Sequence, residues 1–61
     1  MTLRQKQIMR LVVEGLQSKH IGARLEISER TVEWHIARIF RDLGVHNRAR
    51  LVYKAVKKGI L

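Results

Sequence analysis

Residues 28–43 read SERTVEWHIARIFRDL. Within this stretch Val32, Ile36, Ile39, Phe40 and Leu43 recur at i, i+4, i+7, i+8 and i+11, the spacing of a single buried stripe along a helix. At about 100° per residue, Arg30, Trp34, Ala37, Arg38 and Arg41 fall on the opposite side. That outer face holds three arginines, a tryptophan, an alanine and no acid. A face that is only solvated mixes both signs of charge, and Trp is highly buried on average. This face is therefore expected to lie against something anionic, with DNA the first candidate.

The rest of the chain supports that expectation. Thirteen Lys and Arg against five Asp and Glu give a net charge of +8 on 61 residues, which favours a polyanionic partner. A basic domain with no partner at all would have the same charge, so charge alone does not decide the matter. A chain this short forms one domain with a marginal core, too small to carry an ordinary catalytic cleft as well. It contains no Cys, so neither a disulfide nor a thiolate metal site supplements that core. Helical packing, with or without a partner subunit, has to hold the domain together. No apolar run approaches the roughly 18 residues of a membrane span. The opening MTLRQKQIMR lacks the apolar core and cleavage site of a secretory signal. The expected location is therefore cytoplasmic.

With no proline in the chain, caps and glycines must divide it. The pattern predicts an all-α fold of four helices, about 3–14, 19–25, 29–43 and 48–58. Thr2 and Gln5 fit a capping box at the first start, and Ile8, Met9, Leu11, Val12 and Leu16 form the first apolar stripe. Gly15 is the expected stop. Ser18 is the expected cap of the second helix, in which Ile21 and Leu25 face the core. Gly22 inside it costs about 1 kcal/mol relative to Ala, tolerable if another segment crosses closely there. Glu26 and Ile27 make the turn, Ser28 caps the third helix and Gly44 ends it. Asn47 caps the fourth, which stops at Gly59. Leu51, Val52, Ala55 and Val56 are expected to face the core. Ala49 and Tyr53 widen that apolar arc to about 200°, beyond the roughly 100° a surface helix needs. Either the tail Ile60-Leu61 folds over the excess, or a second subunit covers it at Ala49, Val52, Tyr53 and Val56.

Two short helices joined by a tight turn, the second with a basic outer face, form the pattern of a helix-turn-helix. The residues strengthen it. TLRQKQIMRLVVEGL, SKHIGARLEIS, ERTVEWHIARIFRDLGV and HNRARLVYKAVKKGIL resemble four successive motifs of the LuxR-type (GerE/FixJ-like) DNA-binding domain of bacterial transcriptional regulators. Those motifs run T-x-R-E-x-E-V-L…G-L, S-N-K-E-I-A-x-x-L-x-I-S, T-V-K-x-H-x-x-x-I-x-x-K-L-G-V and x-N-R-x-x-A-V-x-x-A…G-L. The likeness covers practically the whole chain.

The resemblance implies a single domain, residues 1–61, that docks its third helix in the major groove and dimerises through its fourth. It places Glu33, Trp34 and Ala37 toward base edges, and Thr31, Lys19 and His46 near phosphates. The basic outer face adds Arg30 to the base-reading set. Arg38 and Arg41, with the cap residue Ser28 and Arg48 beyond the LGVHN junction, join the phosphate set. Three departures stand out. Glu33 occupies a usually basic position. A carboxylate there either accepts from cytosine N4 or pairs with a nearby arginine such as Arg30 or Arg38. Gln5 and Gln7 replace two acids. Lys19-His20-Ile21-Gly22 stands where the family has K-E-I-A.

Other chemistry finds little support. His20, His35 and His46 lack the i, i+3 or i, i+4 spacing of helical metal ligands, and His35 is expected to hydrogen-bond within the fold. Thr2, Ser18, Ser28 and Thr31 read as caps and phosphate donors rather than nucleophiles. No enzyme, cofactor or small-molecule ligand is expected. Lys54, Lys57 and Lys58 read as solubility charges. The expected function is sequence-specific binding of double-stranded DNA, as a homodimer on an inverted repeat. The chain would be the output domain of a response regulator or similar protein, or a stand-alone regulator. Alternatives are a sigma-factor region 4-like module attached to RNA polymerase and a DNA-independent interaction module using Trp34 and the fourth helix. A basic membrane-active peptide is a third.

Overall fold

A computed structural model describes residues 1–59, which form four helices and no strand. These are α1 (Leu3–Val13), α2 (Ser18–Leu25), α3 (Glu29–Leu43) and α4 (Arg48–Lys57). The fold is the expected all-α one, with each boundary within a residue of its predicted place. Any folding back of Ile60-Leu61 lies outside the described residues.

Local sequence explains most of the ends. Gln5 N–H donates to Thr2 Oγ1 at 3.1 Å and Thr2 N–H to Gln5 Oε1 at 2.8 Å, closing the capping box. Ser28 Oγ accepts from Thr31 N–H at 3.0 Å, and Asn47 Oδ1 from Arg50 N–H at 2.9 Å. Gly44 takes the left-handed conformation, φ 67°, and Val45 N–H returns to Phe40 C=O at 2.9 Å, the wrap that satisfies the last carbonyls of α3.

Three expectations need correction. Ser18 does not cap α2. It is the helix's first residue, Gln17 is the N-cap and has no side-chain cap bond, and the Ser18 hydroxyl is bonded to Glu33 and Arg48 instead. Val56 does not face the core but is 64% exposed, while Leu51 and Ala55 are fully buried. Lys54 is not simply a solubility charge. It is half-buried and its Nζ donates to Leu43 C=O at 2.8 Å, where a cation meets the negative end of α3.

The core is one cluster. Ile8, Met9, Ile21, Val32, Ile39 and Leu51 are its largest fully buried side chains, drawn from all four helices. Leu16, Leu25, Ile27, Phe40 and Val52 pack around them, half-buried. α1 touches every other helix and α3 packs on α1, α2 and α4, whereas α2 and α4 make no close backbone approach to each other. α3 is thus held along its inner stripe from three directions and presents its other side to solvent.

Glu26 closes the α2–α3 turn in the left-handed region, φ 60° and ψ 42°. For a residue with a Cβ that conformation costs about 1–2 kcal/mol. The turn recovers it through the Glu26 N–H and the Ile27 N–H, which both donate to Gly22 C=O, the latter at 2.9 Å.

Candidate nucleic-acid interface

α2 and α3, joined by residues 26–28, form a helix-turn-helix in which α3 is the exposed partner. Its outer face has the composition read from the sequence, and Arg30, Trp34, Ala37, Arg38 and Arg41 are all exposed. Trp34 is 57% exposed, so this large aromatic is not a core residue. The Arg38 guanidinium carbon sits 5.0 Å from the Trp34 ring centroid, a cation–π distance. The His35 ring meets Trp34 edge-on, centroids 5.0 Å apart at 77°. Trp34 thus touches both neighbours while more than half of it stays open to solvent. The hydrogen bond expected of His35 is missing at Nδ1, which is buried without a partner. The ring is positioned by packing instead.

At the start of α3, Ser28 Oγ donates to Thr31 Oγ1 at 2.8 Å while accepting from the Thr31 amide. Ala37, Arg41 and His46 line one shallow depression with Phe40, Gly44 and Val45. The fold therefore gathers part of the expected DNA-facing set from α3 and from the α3–α4 junction.

A second, open groove contains Lys19, Ser18, Glu29, Glu33 and Arg48. Here Glu33 pairs neither with Arg30 nor with Arg38. Its carboxylate is 3.2 Å from Arg48 Nη2 and accepts from Ser18 Oγ. Among the described residues this is the only salt bridge. Glu33 and Arg48 thus lie beside Lys19 rather than among the arginines of the Trp34 face. Their partners lie 15 to 30 residues apart in sequence, and no helical spacing could have signalled them.

On α4, Ala49, Tyr53 and Val56 are exposed and Val52 is half-buried. Arg50 and Lys57 both lie near the Tyr53 ring, 5.3 and 5.4 Å from its centroid, and Lys57 Nζ donates to the Tyr53 hydroxyl at 3.1 Å. No group of three or more potential metal ligands comes together among the described residues. None of the described helices is long and apolar enough to cross a membrane.

A basic, exposed second helix set on a three-helix core defines a DNA-binding helix-turn-helix domain. The comparison with known proteins agrees. The pattern of the bacterial regulatory proteins of the luxR family matches residues 1–55. The chain belongs to that family, as a helix-turn-helix domain of transcriptional regulators rather than an enzyme. It is 42% identical over 60 residues to the HTH-type transcriptional regulator AlkS of Alcanivorax borkumensis, covering 98% of this chain and 7% of that protein. Similarity to the probable transcriptional regulator ycf29 of Cyanophora paradoxa is 42% over 60 residues, 98% of this chain and 29% of that one. The response regulator Rre1 of Synechocystis is 37% identical over 59 residues, 97% of this chain and 26% of that protein. The chain thus spans less than a third of each of these relatives.

Proposed function

We propose that this domain binds double-stranded DNA sequence-specifically, with α3 in the major groove, as the output module of a bacterial cytoplasmic transcriptional regulator. The observation that carries the reading is the outer face of α3. Three arginines and a half-exposed Trp34, with no acid among them, stand on a helix whose inner stripe is locked in the core. A helix fits the major groove, and its side chains reach base edges there. Trp34, Ala37 and Arg30 face the bases. Arg38 and Arg41 flank them toward the phosphates, with Lys19, Ser28, Thr31 and His46 around the rim.

Two copies meet along Ala49, Val52, Tyr53 and Val56 and read an inverted repeat, half-sites about one helical turn apart. Arg50 and Lys57 beside Tyr53 bring like charges toward that seam. Association without DNA is therefore weak, and the phosphates of the duplex relieve the repulsion.

The test is selection of bound duplexes from a random pool, followed by titration of the preferred duplex at several salt concentrations. The reading requires an enriched palindrome and affinity that falls steeply as salt rises. Binding that is indifferent to salt refutes it, and enrichment of an unpaired half-site refutes the dimer. Stable capture of RNA polymerase without promoter DNA would favour the sigma-factor alternative.

A further inference from the structure

Glu33 stands on α3 between Val32 and Trp34, where the fold would let it face DNA, yet its carboxylate is already engaged. Oε2 accepts from the Ser18 hydroxyl and from Arg48 Nη2, the latter at 3.2 Å. Arg48 Nη2 also donates to Ser18 Oγ, so each of the three groups touches the other two. Arg48 Nη1 extends the tie to Leu16 C=O at 3.2 Å. The three side chains come from the first residue of α2, the first turns of α3 and the first residue of α4.

We propose that Glu33 is a positioning residue, not a base reader: with Ser18 and Arg48 it forms a clasp that sets the reading helix relative to α2 and α4. This rests on the DNA-binding reading given above. Three observations support it. First, α2 and α4 make no close backbone approach, so the clasp is a direct side-chain link between helices whose backbones stay apart. Second, Ser18 is only 5% exposed. Turning Glu33 outward to a base would strip that buried hydroxyl of its acceptor and leave Arg48 without its anion, an unfavourable change for both groups. Third, a free carboxylate in the groove repels phosphate, whereas one neutralised by Arg48 does not. The pair is partly open to solvent, 38% at Arg48 and 55% at Glu33, so its strength is modest and its value lies in geometry. Arg48, held by three partners, is correspondingly withdrawn from the phosphate-contacting set.

The test uses Glu33→Gln, Arg48→Gln, the double variant and the exchanged pair Glu33→Arg with Arg48→Glu. Urea denaturation of the free chain reads the tie without DNA. The two single substitutions should be coupled, by roughly threefold to tenfold in the folding constant, and the exchanged pair should recover part of the loss. On DNA, each single variant should weaken the preferred duplex about threefold to tenfold. The ranking of alternative base pairs should stay unchanged, and Arg48→Gln should leave the salt dependence of binding as it was. A changed preference at one base pair in Glu33→Gln, with no coupling to Arg48, overturns the proposal and makes Glu33 a reader. A salt slope reduced by about one in Arg48→Gln returns Arg48 to the phosphates and overturns it as well. A parent chain that binds no duplex refutes the DNA reading itself. The coupling in the free chain then alone upholds or refutes the tie between the helices.

Discussion

Replacing Gly22 by alanine should destabilise this domain, although helix propensity argues the other way. Ala is favoured over Gly inside a helix by about 1 kcal/mol, and Gly22 lies in the middle of α2. A Cβ built there would lie 2.6 Å from Ile27 O and 3.4 Å from both Glu29 N and Ser28 C. All three are backbone atoms of the turn and of the first residue of α3. That turn cannot simply swing away, because Ile27 N–H is bonded to Gly22 C=O at 2.9 Å and the neighbouring Glu26 already holds a left-handed conformation. The carbonyl must retreat by about 0.8 Å, from 2.6 to 3.4 Å, to reach ordinary contact, and overpacking of this kind costs about 1–3 kcal/mol. Setting the propensity gain against it leaves a net loss of about 1 kcal/mol, worth roughly 4–8 °C in melting temperature for a chain of this size. Thermal denaturation followed by circular dichroism measures it, with Gly22→Val as a companion that should lose more. An alanine variant that melts at or above the parent would show that the turn yields freely, and the reasoning would fail.

Other consequences concern the interface. Trp34→Ala should alter which duplex is preferred, since a lost base contact discriminates by about 1–3 kcal/mol. It also removes the surface on which Arg38 rests. Competition among duplexes that differ by single base pairs reads this, and an equal loss on all of them excludes Trp34 from readout. Arg38→Ala and Arg41→Ala should each weaken binding to every sequence and lower the slope of log affinity against log salt by about one; an unchanged slope removes that arginine from the phosphates. Tyr53→Glu should weaken a duplex with two half-sites more than one with a single half-site. Equal losses on both would sink the α4 seam.

The fold was legible because its determinants are local. Caps such as Thr2 with Gln5, Ser28 and Asn47 act across three residues, and the stripes of α1 and α3 repeat every three or four. The outer face of α3 was legible for the same reason. Once Val32, Ile36 and Ile39 are buried, the helix itself dictates that Trp34 and Arg41 stand outside. The apolar arc of α4 was only half legible. Its width follows from the α4 pattern, but the exposure of Val56 depends on how α4 lies against α1 and α3.

What sequence by itself determined is therefore everything carried by neighbours within a turn of helix: four helices, their ends, the core stripes and a basic outer face on α3. What only the tertiary structure decided are the partners of side chains that helices bring together from afar. Ser18 looked like a cap and became the buried corner of a clasp. Lys54 looked like a surface charge and closes the end of α3. Glu33 looked like a base reader or a partner of Arg30 or Arg38 and is neutralised by Arg48, 15 residues away. The physical reason is range. A backbone hydrogen bond or a helical stripe repeats in the sequence and can be read there, whereas a contact between two helices depends on their crossing and leaves no periodic trace.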